Sequence, residues 1–75
     1  MLTTSQLQTL IESRLPGAEV RVRDLTGTSD HFRIEVRWSG FAGKTLIDQH
    51  RLVQAACREH LGGAIHAIEI KTQTP

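Results

Sequence analysis

From His31 to Trp38, large apolar side chains fall on every second residue: Phe32, Ile34, Val36 and Trp38 alternate with His31, Arg33, Glu35 and Arg37. A period of two marks a strand with one face on a core and the other in water. A slip of one residue would turn four large side chains to solvent, so the pattern fixes the register of this strand. The remaining chain has to cover that apolar face. The cover must be largely Ile, Val, Leu and Ala, because aromatic residues make up only 4% of the 75.

Upstream, a second run of period two opens at Ala18, with Val20 and Val22 pointing one way and Glu19, Arg21 and Arg23 the other. The polar loop Thr26 to Asp30 joins the two runs as a hairpin. Before them, Leu7, Leu10, Ile11 and Leu15 mark one face of a short helix that Pro16-Gly17 ends. Thr3, Thr4 and Ser5 offer cap oxygens, and Ser5 with Gln8 fits the capping-box spacing. Downstream, the stretch Phe41 to Ala67 reads as a long helix, capped by Thr45 and stopped by Gly62-Gly63, followed by a strand over Ile65 to Thr72. Leu46, His50, Val53, Cys57 and Leu61 form the stripe expected to be buried.

The order is helix, strand, strand, helix, strand. The first two strands pair as an antiparallel hairpin. The second and third, joined through a helix, favour a parallel right-handed crossover. The fold class predicted is α/β (α+β): a two-layer sandwich with a mixed three-stranded sheet and both helices on one face. The other face carries Arg21, Arg23, Arg33 and Arg37, interrupted by Glu19 and Glu35. The length implies a single domain over residues 1–75.

Bulk properties exclude several roles. Nine basic residues against eight acidic give a net charge of +1, too balanced to attract nucleic acid or membrane by overall field. The single cysteine, Cys57, rules out an intramolecular disulfide or a four-cysteine zinc site. No apolar run approaches the roughly 20 residues of a membrane span, and the leading MLTTSQLQ lacks a secretory signature; a cytoplasmic protein is expected. No Ser-His-Asp set, metalloprotease helix motif or P-loop is present, so an enzyme is not expected.

Two histidines stand out. His66 opens a strand just past a Gly-Gly turn, where a neutral imidazole can reach solvent and a metal. His31, at the edge of the hairpin loop, is either a second metal ligand or simply the end of the hairpin. His50 on the helix stripe reads as a packing residue, His60 as a partner of the helix C-terminal dipole, and Cys57 as a small hydrophobe. Gly40-Phe41-Ala42-Gly43 spells GxxG, a backbone-clamping loop in KH domains. With Lys44 and Arg51 it supports an alternative reading as a KH-like nucleic-acid-binding, transcriptional regulator. The exposed sheet face has no aromatic on which a base would stack.

Taken together, Asp30-His31-Phe32, the run FAGKTLIDQHRLVQAA and the final IHAIEIKTQTP resemble the BolA family in order and spacing, over Leu7 to Pro75. The resemblance implies a class II KH-like fold and a role with monothiol glutaredoxins in iron–sulfur trafficking. In that family a 2Fe-2S cluster is shared with the glutaredoxin and glutathione and is absent from the isolated apo-protein. The BolA-like partner contributes the histidine of the I-H-A motif, here His66, and a histidine or cysteine from the hairpin loop, here His31. Phe41, Lys44, His50 and Arg51 then fall on the implied partner surface, and a homodimer stays open. Gln49, Gln54 and Gln73 stand where the family commonly has an arginine, an aromatic and a tyrosine, and the family's short C-terminal helix is not expected. These departures bear on affinity and partner identity rather than on fold.

Overall fold

The alternation around Ile34 becomes the middle of a sheet. In the computed structural model, which describes residues 2–75, α1 (Thr4–Arg14), β1 (Glu19–Asp24), β2 (His31–Arg37), α2 (Leu46–Ala56) and β3 (Ala67–Gln73) follow in the expected order. Met1, the first residue of the expected single unit, lies outside the described residues. The sheet runs β1-β2-β3, with β1 antiparallel and β3 parallel to β2. Cross-strand partners put Val20, Val36 and Thr72 in one row and Val22, Ile34 and Ile70 in the next, all on the inner face. Phe32, Ile34 and Val36 are buried there with Leu7, Ile11 and Leu15 from the first helical segment and Val53, Ala56 and Cys57 from the second. This is the predicted α+β arrangement, with helices covering one face. The opposite face shows the expected arginines and adds Glu69 and Lys71 of β3.

Local readings needed correction where two signals competed. Thr3, not Ser5, caps α1: its hydroxyl accepts from the Gln6 amide at 3.0 Å while the Gln6 side chain accepts from the Thr3 amide at 2.9 Å. Thr3-Gln6 and Ser5-Gln8 share the capping spacing, and the earlier cap adds helical hydrogen bonds. α2 is also shorter than predicted. It stops at Ala56, and a 3-10 turn over Arg58–His60 carries the chain on, so His60 sits outside the helix whose dipole it was expected to favour. Arg14 is the physical reason visible at that end. Its guanidinium donates to the Ala56 carbonyl at 2.8 Å and to Glu59 at 2.7 Å, satisfying a carbonyl that helix termination leaves without a partner.

The predicted stripe on α2 is buried only in its second half. Val53 and Cys57 are inside, with Ala56, but Leu46 is 62% exposed, Leu61 is exposed and His50 is half-buried. The first turn of α2 overhangs the sheet, so its leading leucine lies beyond the core. Phe41 takes that place: it is fully buried and meets Trp38 edge-on, ring centroids 5.3 Å apart. β3 starts at Ala67, two residues later than predicted. Ile65 is buried ahead of it, paired with Leu61 in an isolated bridge.

The Trp38 ring is pinned by its indole N–H, which donates to the Pro16 carbonyl at 2.8 Å. It lies across Gly40, where an added Cβ would sit 2.5 Å from the ring. Gly40→Ala therefore forces the ring or the turn to move, and is expected to cost about 1–3 kcal/mol, as overpacking does. Chemical denaturation checks this. The cost should largely vanish when alanine is added at position 40 in a Trp38→Ala background.

Candidate metal centre

Asp30 organises the end of the sheet at which β2 begins. Its backbone carbonyl accepts from the His66 amide at 2.7 Å and the Ala67 amide at 3.2 Å, tying the returning chain to the start of β2. Gly62, with φ of +84°, makes the preceding turn, and its amide donates to the Ile65 carbonyl at 2.9 Å. Together these bonds fix the backbone on which the His66 side chain stands. His31 sits opposite Ala67 in the parallel register. The two imidazoles meet: their centroids are 5.6 Å apart and their planes 25° from parallel.

The Asp30 side chain settles the chemistry of one ring. A carboxylate oxygen lies 2.9 Å from Nδ1 of His31. An ionised carboxylate only accepts, so Nδ1 carries the proton and Nε2 keeps its lone pair when the ring is neutral. The same carboxylate accepts from the hydroxyls of Thr28 and Thr26. The Thr28 bond first, then the His31 bond, hold the Asp30 carboxyl at about 2, below its ordinary 3.8. Behind it, Asp24 accepts from the amides of Gly27 and Ser29, both at 2.9 Å, and so fixes the loop.

The donor set suits a borderline transition metal: two adjacent imidazoles, His66 exposed and His31 partly so, one of them oriented by a carboxylate. Two nitrogens do not complete a coordination sphere. Among the described residues no group of three or more His, Cys, Asp or Glu is arranged to hold a metal ion by itself, so a metal bound here would need further ligands from another molecule. The structure thus brings together the two histidines singled out in the sequence. It adds Asp30, which the sequence placed in the hairpin loop and the Asp30-His31-Phe32 motif without a part in the site; its adjacency to His31 was the available signal.

Other singled-out residues lie elsewhere. Lys44, Asp48, Arg51 and Leu52 line a shallow groove at the start of α2. Leu46 and Ile47 in that same turn are 62% and 63% exposed. Phe41 cannot belong to a partner surface because it is buried, and the expectation is corrected on that ground. Gly40 is covered by Trp38 and Gly43 is open with φ of +78°, so the GxxG loop does not present a continuous backbone cradle. Cys57 is fully buried and donates to the Val53 carbonyl; burial pushes its thiol up, away from thiolate chemistry.

Comparison with known proteins agrees with the fold. The family model described as BolA-like protein matches residues 2–75. The chain is 47% identical to human BolA-like protein 1 over 49 residues, which is 65% of this chain and 36% of that relative's length. Among solved structures it is similar to the BolA domain of SufE1 from Arabidopsis thaliana, at 26% identity and a TM-score of 0.85, covering 96% of this chain and 91% of that one. It is also similar to yeast Fra2, at 35% identity and a TM-score of 0.81, covering 97% and 80% of the two chains.

A depressed carboxyl stabilises the fold where it is ionised. The Asp30 contribution is complete above the unfolded value near 3.8 and is lost as pH falls through about 2. A carbon-detected NMR titration should place the Asp30 midpoint near 2. Asp30→Asn should be less stable than the parent at neutral pH and should converge with it at the acid end. A midpoint at the ordinary carboxylate value would mean that the loop bonds are not kept in solution.

Proposed function

Because the chain belongs to the BolA family, we propose that it is a non-enzymatic partner of monothiol glutaredoxins that shares or relays a 2Fe-2S cluster in iron–sulfur and iron homeostasis. The observation that carries this reading is the His31–His66 pair, two imidazoles from opposite ends of a crossover brought into contact at one end of the sheet. His66 and His31 are the ligands offered by this chain. The glutaredoxin cysteine and a glutathione thiolate supply the others.

The cluster is cargo, and when bound it gives the complex a visible chromophore. The protein's own part is to present nitrogen lone pairs. Asp30 holds the Nδ1 proton of His31, which leaves Nε2 as the ligating atom. The amide of His66, bound to the Asp30 carbonyl, keeps the second ring's backbone in place. Ligation requires unprotonated imidazoles, so loading weakens in acid.

Docking is assigned to the start of α2. Leu46 and Ile47 give an apolar centre, and Lys44 and Arg51 flank it with positive charge; His50 lies half-buried on the same helix. The KH-like nucleic-acid alternative retains exposed Lys44, Arg51 and Gly43 but loses Gly40 to Trp38 and Phe41 to the core. It is not adopted. The whole of 1–75 acts in this proposal as one unit in the cytoplasm.

His66→Ala should leave the apo-protein folded and able to bind glutaredoxin, and should change the visible absorption and circular dichroism of the cluster-loaded complex. His31→Ala should show a weaker form of the same change. An unaltered spectrum in His66→Ala removes the ligand assignment. By contrast, Leu46→Ala with Ile47→Ala should weaken apo docking by about tenfold or more, the loss typical of truncating a small apolar anchor. Calorimetry with the purified glutaredoxin separates the two effects.

A further inference from the structure

The open face of the sheet is not evenly neutralised. In register, Glu35 lies between Arg21 of β1 and Lys71 of β3, with Arg33 and Arg37 two residues away along its own strand on the same face. One carboxylate therefore stands inside a ring of four cations. It is committed to one of them, Arg33, at 3.4 Å. Among the described residues, Arg21, Arg37 and Lys71 have no carboxylate within 4 Å. Glu19 opposes Arg37 across the strands and does not reach it either. These three cations come from three different strands, and they border one cleft of about 200 Å³ lined also by Glu19, Glu35 and Gln73.

We propose that this cleft binds a compact multivalent oxyanion, a small phosphate- or carboxylate-bearing molecule, through Arg21, Arg37 and Lys71. Arginine forks take carboxylate or phosphate oxygens in pairs, and the lysine adds a point charge from the far strand. The volume admits a small molecule, being below the roughly 300–1,000 Å³ of a drug-sized pocket. Glu19 and Glu35 set the charge requirement. A monoanion gains little beside two carboxylates, whereas a ligand with several negative oxygens engages all three cations at once. Gln73 offers an amide for a neutral oxygen of the same ligand. The site is independent of the histidine pair and of any glutaredoxin role.

Titration of the full chain with inorganic pyrophosphate and, separately, with citrate, followed by amide NMR, tests the proposal. The expected shifts are confined to residues 19–21, 35–37 and 71–73 and fade with added salt. Pyrophosphate alone producing them identifies a phosphoryl ligand, citrate alone a carboxylate ligand, and both the shared oxyanion chemistry. Arg21→Gln with Lys71→Gln should weaken binding at least about tenfold, as loss of charged hydrogen bonds does, and keep the melting temperature, since exposed charges stabilise little. Glu35→Gln should tighten it, and His66→Ala should leave it unchanged. Shifts from neither anion, undiminished shifts in the double variant, or shifts from duplex DNA alone would overturn the proposal.

Discussion

The contact on which most of this molecule's candidate chemistry depends is made by one residue, Asp30. Its carbonyl accepts from two consecutive amides of the returning chain, and its carboxylate holds an imidazole nitrogen and two threonine hydroxyls. The first set of bonds fixes where the β2–β3 pair begins. The second fixes the tautomer of His31. One residue thus couples the sheet's register to the protonation pattern of a ring. A substitution at Asp30 keeps the two carbonyl bonds, as substitutions at His31 and His66 do, and removes the carboxylate's bonds to the ring and the loop hydroxyls.

The opposite end of the sheet is locked by packing instead. Trp38 bonds Pro16, lies over Gly40 and meets Phe41, so the turn after β2 is held against the turn after α1. That turn places Phe41 in the core, and Thr45 then caps α2 by accepting from the Asp48 amide. A domain this small buries a limited share of its surface, and every large inward side chain of β2 is fully or almost fully buried. Arg14, reaching from α1 to the Ala56 carbonyl and Glu59, joins the two helices at their exposed ends. Glu59 is held below the ordinary carboxylate range by that hydrogen bond.

The sheet was legible because its information is local and strict. A period of two with four large residues on one side leaves one register, and the helix between β2 and β3 dictates their parallel pairing. The histidine pair was legible as two candidates, through spacing and family resemblance, but their contact was not: it depends on a register that only the closed sheet defines. The helix was harder. A stripe of period 3.6 says which face is apolar and is silent on how far the helix extends past what it covers, so Leu46 was assigned to the core that Phe41 occupies. The C-terminal stop of α2 was misplaced for a related reason. Gly62-Gly63 is a strong local signal, while Arg14 acts on the Ala56 carbonyl from 42 residues away. Asp30 was missed because a polar residue in a polar loop looks like solvent-facing turn chemistry.

Topology explains why two histidines 35 positions apart become neighbours at all. In a parallel pair both strands start at the same end of the sheet, so the first residue of β2 lies beside the residues that lead into β3. An antiparallel return would have put His66 at the far end of a seven-residue strand, on the order of 20 Å away at about 3.3 Å per residue. The parallel arrangement requires a long crossover, and α2 is that crossover. The helix that covers the core is therefore also what brings the second imidazole back to the first, and its overhanging first turn leaves Leu46 and Ile47 in solvent. Covering the core, returning the chain and exposing an apolar turn are three consequences of one connection.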